Sequence, residues 1–187
     1  MATRHYILAL LLLTGCGSNT DNYSAPDNTD PAPDTSTPPA YSERFEIQAD
    51  DSLVRDTATG LLWSRCGVGQ SWNTFDGQCY GEATIMPHHE APTYEGADWR
   101  IPNRNELLSL VCCPTCENYC DSDSPKIEID SFPNTSVVKA YFSSSQTNAD
   151  TVCHAVSYQS GNSLGFSCSS TVTTLHLRLV HGTPLAD

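Results

Sequence analysis

The sequence predicts an α+β fold: a small disulfide-stapled domain with a twisted antiparallel sheet, one clear helix and long loops. Short apolar or alternating runs separated by turn residues recur between residues 45 and 180, which is typical of short strands. One segment, after Pro102, has the residue spacing of an amphipathic helix. The 187-residue chain contains nine cysteines, and all but one lie beyond residue 60, as in small domains held by disulfides.

The first residues have the features of an export signal. Arg4 provides a basic start, and the apolar run 6–13 is shorter than the roughly 20 residues that span a bilayer. The run ends in Leu13-Thr14-Gly15-Cys16, which resembles the lipobox of bacterial lipoproteins. This resemblance implies that residues 1–15 are a cleaved lipoprotein signal peptide and that Cys16 carries the lipid. The lipid would make the membrane a partner, and Gly17 in place of Asp favours the outer membrane of the bacterial envelope.

Residues 16–40 are predicted to form a lipidated, disordered and acidic tether. Beyond Cys16 they are mostly Pro, Ser, Thr, Asn and Asp, without Lys or Arg, and cannot bury enough apolar surface to fold. The prolines favour an extended chain of about 3.1 Å per residue. The tether would therefore hold the globular domain, residues 41–187, away from the lipid surface.

The charge balance excludes one class of partner. There are 22 acidic and 9 basic residues, and the formal net charge is -13. Such a field repels polyanions, and the basic residues form no cluster. We therefore expect no binding to nucleic acid, while the oligomeric state stays open.

The domain is predicted to open with a strand and a hairpin. Residues 45–47 are the first strand. The segments 53–55 and 61–63 read as paired strands, because residues 56–60 between them contain the turn residues Asp and Gly.

A helix is predicted after Pro102. Asn103 can cap its first turn, and Glu106 can complete a capping box. Three apolar residues share one face: Leu107, Leu110 and Val111. Cys112 and Cys113 are expected in the last turn, with Pro114 ending the helix.

Four further strands are predicted beyond Pro125. They cover residues 137–142, 152–158, 165–168 and 172–180. The last alternates at its leucines with the period of a half-buried strand.

Several of these segments resemble, in order, the signature blocks of the Lcl C-terminal domain family, named after a collagen-like adhesin. The blocks are Thr59-Gly60-Leu61-Leu62-Trp63, Asp98-Trp99-Arg100-Ile101-Pro102-Asn103, Phe132-Pro133-Asn134-Thr135, Tyr141-Phe142-Ser143-Ser144-Ser145 and Leu177-Arg178-Leu179-Val180. The resemblance implies a C-type-lectin-like fold whose loops bind ligands. The namesake binds sulfated polysaccharide, a ligand class that the acidic balance here disfavours. The family also has a helix before the second block, where the prolines of residues 85–93 argue against a regular helix.

All eight cysteines of the domain are expected in disulfides: Cys66, Cys79, Cys112, Cys113, Cys116, Cys120, Cys153 and Cys168. Cys66 with Cys79 and Cys153 with Cys168 are plausible loop-closing pairs. Adjacent Cys112 and Cys113 are expected to take different partners, because a bond between neighbours strains the peptide. The pairing within the cluster 112–120 stays open.

The cysteine cluster also allows two chemical alternatives. Cys113-Pro114-Thr115-Cys116 has the spacing of a redox motif, but the C-terminal end of a helix does not stabilise a thiolate. Four cysteines could instead bind zinc. Disulfides are favoured, and a redox or metal-binding enzyme module built on this cluster is kept as an alternative.

Two other groups have both a binding and a structural interpretation. Asp98, Trp99 and Arg100 could contact a sugar through stacking and charged hydrogen bonds. The favoured interpretation is that Trp99 anchors the core while the charges fix the turn before the helix. An acidic run could hold Ca²⁺, but a solvated loop is favoured. Its residues are Asp121, Asp123, Glu128 and Asp130.

The sequence therefore predicts a lipid-anchored module for binding or adhesion, directed at an unidentified surface glycan or protein. It contains no catalytic signature, so we expect neither catalytic residues, nor a metal, nor a cofactor. A structural envelope protein is the remaining alternative.

Overall fold

A computed structural model of the chain describes residues 43–112, 125–147 and 150–187. These residues form antiparallel strand pairs, one α-helix and one 3₁₀ helix, which confirms the predicted α+β class. No helix in these ranges has the length and apolar character that crossing a bilayer requires. The proposed signal peptide and tether, residues 1–40, lie outside the described residues.

The main sheet joins the two ends of the domain. Its five strands, in spatial order, are β1 (Phe45–Ile47), β2 (Leu53–Asp56), β3 (Leu62–Ser64), β12 (Val180–His181) and β7 (Trp99–Arg100). The predicted hairpin is confirmed, with Val54 opposite Trp63. Val180 pairs with Trp63 on one side and with Arg100 on the other. The last strand of the chain is therefore central in this sheet.

Three smaller sheets complete the fold. One has the order β10 (Asn162–Ser167), β9 (Val152–Ser157) and β8 (Tyr141–Thr147). The others are the pairs β4 (Ser71–Asn73) with β5 (Gln78–Tyr80), and β6 (Met86–Pro87) with β11 (Thr174–Leu175). The strands predicted at 152–158 and 165–168 correspond to β9 and β10.

Two strand predictions need correction. The strand predicted at 137–142 begins only at Tyr141. The reason is that backbone hydrogen bonds to its neighbour, His176, begin only at Ala140. The strand predicted at 172–180 is two separate short strands, β11 and β12. Residues 175–178 are all buried rather than alternating, since this segment crosses between sheets instead of lying on one surface.

The helix α1 (Arg104–Ser109) has the predicted capping box. The Asn103 side chain accepts a hydrogen bond from the Glu106 amide at 2.8 Å, and Glu106 accepts one from the Asn103 amide at 2.7 Å. The helix is shorter than predicted and ends before Cys112, whose amide donates to the carbonyl of Lys126 at 3.1 Å. Residues 88–94 form the 3₁₀ helix His88–Tyr94, consistent with the proline-rich sequence there.

Arg178 is the largest polar side chain in the interior and is fully buried. Its guanidinium donates to the carbonyls of Ser64 (2.7 Å) and Arg65, and to the Thr135 hydroxyl at 2.9 Å. It also lies 5.0 Å from the Phe132 ring centroid. Within the described ranges no carboxylate forms an ion pair with it, so neutral oxygens and aromatic faces hold this cation.

Glu106 organises a second buried network. Both of its oxygens bind the Arg100 guanidinium at 2.7 Å, and it accepts a further bond from the Leu185 amide at 2.9 Å. Burial alone would raise the pKa of Glu106, but the hydrogen bonds from Arg100, Leu185 and Asn103 outweigh it and lower that pKa. The network joins α1, β7 and the C-terminal segment.

Replacing Arg178 with Met should destabilise the domain by about 3 kcal/mol, because the buried carbonyls and the Thr135 hydroxyl lose their donor. Urea unfolding followed by tryptophan fluorescence measures this. Arg55→Met is the matched control, since Arg55 is exposed and its substitution should change stability by less than about 0.5 kcal/mol. Equal effects of the two substitutions would contradict the assigned role of Arg178.

Replacing Glu106 with Gln should cost about 3 kcal/mol at pH 7, because a buried ion pair loses one partner. The pKa of Glu106 in the folded state lies below its ordinary value of 4.5. Its carboxylate therefore stabilises the fold above about pH 4.5, and this contribution is lost as the pH falls through the folded-state pKa. The difference in unfolding free energy between wild type and Glu106→Gln should therefore shrink below about pH 4.5. Glu46→Gln, at an exposed strand position, is the matched control.

Candidate functional site

The Asp98–Arg100 turn is mainly a structural element. Arg100 forms an ion pair with Glu106 and also donates a hydrogen bond to the Gly182 carbonyl at 3.1 Å. Its charge therefore fixes the turn before the helix, which is the interpretation that the sequence favoured. Trp99 differs from the expectation of a core anchor. It is only half-buried, because it lies on β7 at the end of the main sheet, where its ring faces His181 at 5.9 Å. Asp98 is exposed with φ +69°, and ligand contact by Asp98 or Trp99 stays a prediction.

The structure contains the two expected loop-closing disulfides, Cys66–Cys79 and Cys153–Cys168. Cys112 is fully buried. Cys113, Cys116 and Cys120 lie outside the described residues, so the pairing of the cluster stays a prediction, as do its redox and zinc alternatives.

The acidic run is not a uniformly solvated loop. Asp121 and Asp123 lie outside the described residues. Glu128 is buried and accepts a hydrogen bond from the Ser131 amide at 3.0 Å, so its carboxylate holds a turn. The Asp130 carbonyl accepts a bond from Arg65 at 2.6 Å. Within residues 43–112, 125–147 and 150–187, no group of three or more acidic, His or Cys side chains could hold a metal ion.

A cavity of about 420 Å³ lies beside the Cys66–Cys79 loop, within the size range of small-molecule sites. It combines polar and apolar walls. The polar lining comes from Gln70, Glu82, Asn134, Ser136 and His176, and the apolar lining from Cys79, Ala83, Ile85 and Val138, with Gly81 completing it.

Hydrogen bonds across the disulfide loop keep the rim of this cavity in place. The Gln70 side-chain oxygen accepts from the Gly67 amide at 3.0 Å, while its nitrogen reaches the Asn134 carbonyl at 3.3 Å. Asn134 has φ +53°, a conformation that Asn tolerates, and its side-chain oxygen accepts from the Cys79 amide at 3.2 Å. Hydrogen bonds thus join the hairpin β4–β5 to the turn at Asn134, and the disulfide joins the hairpin to Cys66.

His176 is the buried histidine of this cavity. Its Nδ1 lies 3.1 Å from the Thr84 carbonyl, so that nitrogen carries the hydrogen and Nε2 is an acceptor. No hydrogen-bond partner for Nε2 is present in the described part of the chain. Burial lowers the pKa of His176 and, together with the charge of Lys139, outweighs the hydrogen bond to the Thr84 carbonyl that raises it, so the imidazole is neutral at neutral pH. Glu82 is then the one ionised side chain in the cavity lining.

Apolar side chains continue from the cavity onto the neighbouring surface. Val138 is 80% exposed and also lines a shallow groove with Leu164 and Val172, of which Val172 is 87% exposed. Isolated exposed apolar residues are ordinary, whereas a row of them beside a cavity is typical of a binding surface.

Sequence reasoning missed this site because its parts are distant in the chain. Gln70 reaches the region of Ser136 through its hydrogen bond to the Asn134 carbonyl, and His176 reaches it through the crossing of segment 175–178 between sheets. The sequence contained one indirect signal of the site. The signature block 132–135 includes Asn134, which lies at the cavity rim, but its role there depends on a hydrogen bond from the distant Cys79 amide.

Comparison with known families connects these observations. The profile of the Lcl C-terminal domain matches residues 52–181, which include both disulfides, the capping box, Arg178 and the whole cavity lining. Comparisons with curated proteins and with solved structures gave no match. Since the matched region spans more than half of the chain and contains the described signature blocks, this protein belongs to the Lcl C-terminal domain family.

Proposed function

We propose that this chain is a lipoprotein of the bacterial envelope that presents an adhesin-like domain for binding a surface component. The lipobox-like sequence ending at Cys16 and the polar tether 16–40 support the anchoring part. Membership of an adhesin-associated family supports the binding part. A glycan or a protein of the envelope is the proposed ligand.

The observation that carries the binding proposal is the cavity beside the Cys66–Cys79 loop. It offers the carboxylate oxygens of Glu82 as acceptors next to the apolar side chains of Ile85 and Val138. A concave site with a few polar groups and an apolar wall is the usual form of a small-molecule or saccharide site.

The charge of the site indicates the class of ligand. With His176 neutral, Glu82 gives the cavity a negative charge, and the whole chain carries -13. A sulfated or phosphorylated ligand would be repelled by the overall field, while the positive charge of Lys139 near His176 offsets part of the local repulsion from Glu82. We therefore favour a neutral ligand whose hydroxyl or amide hydrogens are donated to these acceptors, such as an uncharged saccharide unit.

Anchoring is tested by replacing Cys16 with Ser. The variant should lose acylation and move from the membrane fraction to the soluble fraction, because each buried lipid methylene contributes about 0.8 kcal/mol to attachment. Incorporation of labelled palmitate and cell fractionation measure this. Ser18→Ala, two residues downstream, should remain at the membrane. A Cys16→Ser protein that stays membrane-bound would contradict the lipoprotein proposal.

Binding is tested with the chain from residue 17 onward on an array of neutral and charged saccharides, followed by titration of the best ligand. Val138→Arg places a long charged side chain at the cavity mouth without disturbing the core, because Val138 is 80% exposed. Affinity should fall at least about tenfold, equivalent to about 1.4 kcal/mol. Ile47→Arg, an exposed apolar position on β1 outside the cavity lining, is the matched control.

The outcomes separate the alternatives. Loss of binding in Val138→Arg alone supports the cavity as the site. Equal binding by both variants would place the site elsewhere on the domain. No binding to any saccharide or isolated envelope component would favour a structural envelope protein.

A further inference from the structure

The disulfide Cys153–Cys168 has a histidine against one of its sulfurs. His88 begins the 3₁₀ helix His88–Tyr94, and its Nε2 lies 3.4 Å from the Cys153 sulfur. The imidazole is fixed by aromatic neighbours, with ring centroids 5.6 Å from Phe142 and 6.0 Å from Phe166. The contact therefore has a defined geometry on the inner side of the disulfide.

The direction of the hydrogen bond follows from the chemistry of the sulfur. A disulfide sulfur carries no hydrogen, so in this contact the imidazole is the donor, through Nε2–H. If the S–S bond is broken and Cys153 becomes a thiolate, the same N–H is already aimed at the new negative charge. Hydrogen bonds to an ionised acceptor are stronger than those to a neutral one. This stabilisation requires no protonation of His88.

The two cysteines of this disulfide differ in exposure to solvent. Cys153 is fully buried on β9, whereas Cys168, just beyond β10, is partly exposed. A nucleophile from solvent can therefore approach Cys168, with Cys153 as the leaving group. Exchange is faster when the leaving thiol is better stabilised as a thiolate.

We propose that Cys153–Cys168 is a thiol–disulfide exchange site, at which an external thiolate attacks Cys168 and His88 stabilises Cys153 as the leaving group. The attacking sulfur bonds to the Cys168 sulfur, and the S–S bond breaks with its electron pair on Cys153. The product is a mixed disulfide at Cys168 and a thiolate at Cys153. A second thiolate can displace the first-bound thiol from Cys168, so the exchange needs no other oxidant or reductant.

The second described disulfide provides an internal comparison. Cys66 and Cys79 are both buried, at 7% and 5% exposure. In the described part of the chain no histidine hydrogen bond reaches either sulfur. Cys66–Cys79 therefore lacks both the accessible sulfur and the donor, and it should react more slowly with the same thiol.

The regiochemistry of the product is the first test. The full chain is treated with reduced glutathione at neutral pH, free thiols are blocked at intervals, and the peptides are mapped by mass spectrometry. The mixed disulfide should appear on Cys168, with Cys153 recovered as the blocked thiol. Glutathione on Cys153, or reaction of Cys66–Cys79 before Cys153–Cys168, would overturn the proposal.

The role of His88 is tested by two substitutions at that position. His88→Phe keeps a ring between Phe142 and Phe166 but removes the donor, and it should slow exchange at Cys168 by about tenfold. His88→Gln retains an N–H donor and should restore much of the rate. His89→Phe, at the exposed neighbouring residue, should leave the rate unchanged.

A purely structural role of His88 gives a different pattern. If His88 only packs, the His88→Phe substitution would loosen the sheet, so Cys153–Cys168 would be reduced faster than in the wild type. Urea unfolding would then show a loss of stability. Wild-type or faster exchange in His88→Phe therefore refutes the proposal. If His88→Phe does not fold, failure of His88→Gln to keep at least half of the wild-type rate refutes it instead.

Discussion

The buried guanidinium of Arg178 is the interaction on which the arrangement of this domain depends. A buried cation without a carboxylate partner needs oxygens that accept hydrogen bonds from its donors, so these oxygens must be in place. Nη1 and Nη2 of Arg178 have such partners, whereas Nε has none in the described part of the chain. They come from Ser64 and Arg65 at the end of β3 and from Thr135. Because His176 lies two residues before Arg178, the segment that supplies the cation also supplies the buried histidine of the cavity. Core and candidate site are thus built by one crossing segment.

The disulfides act where packing contributes least. Strand β10 is largely exposed and is an edge strand of its sheet among the described residues, so one side of its backbone forms no ladder with them. The Cys153–Cys168 bond ties the end of this strand to β9. Similarly, Cys66–Cys79 ties the small hairpin β4–β5 to the body of the domain at the cavity rim. Two disulfides therefore stabilise surface elements that the hydrophobic core does not cover.

Local features could be predicted from the sequence, whereas long-range ones could not. The hairpin 53–63 and the cap at Asn103 follow from residues within a few positions of one another, and both are confirmed. The segment 172–180 was misassigned because its leucines alternate like those of a surface strand, while residues 175–178 within it are all buried. That burial depends on Ser64 and Thr135, which are 114 and 43 residues from Arg178. The cavity was missed for the same reason.

The cavity and the exchange site are chemically independent although both depend on histidines. His176 uses Nδ1 as a donor to the Thr84 carbonyl, and its Nε2 is a buried acceptor without a hydrogen-bond partner in the described part of the chain. His88 uses Nε2 as a donor toward sulfur, which suits a developing negative charge. Burial lowers the pKa of both imidazoles, so both are neutral and their tautomers decide what each can do. The hydrogen-bond partner of each ring, rather than its charge, therefore decides which of its nitrogens is the donor and which is the acceptor.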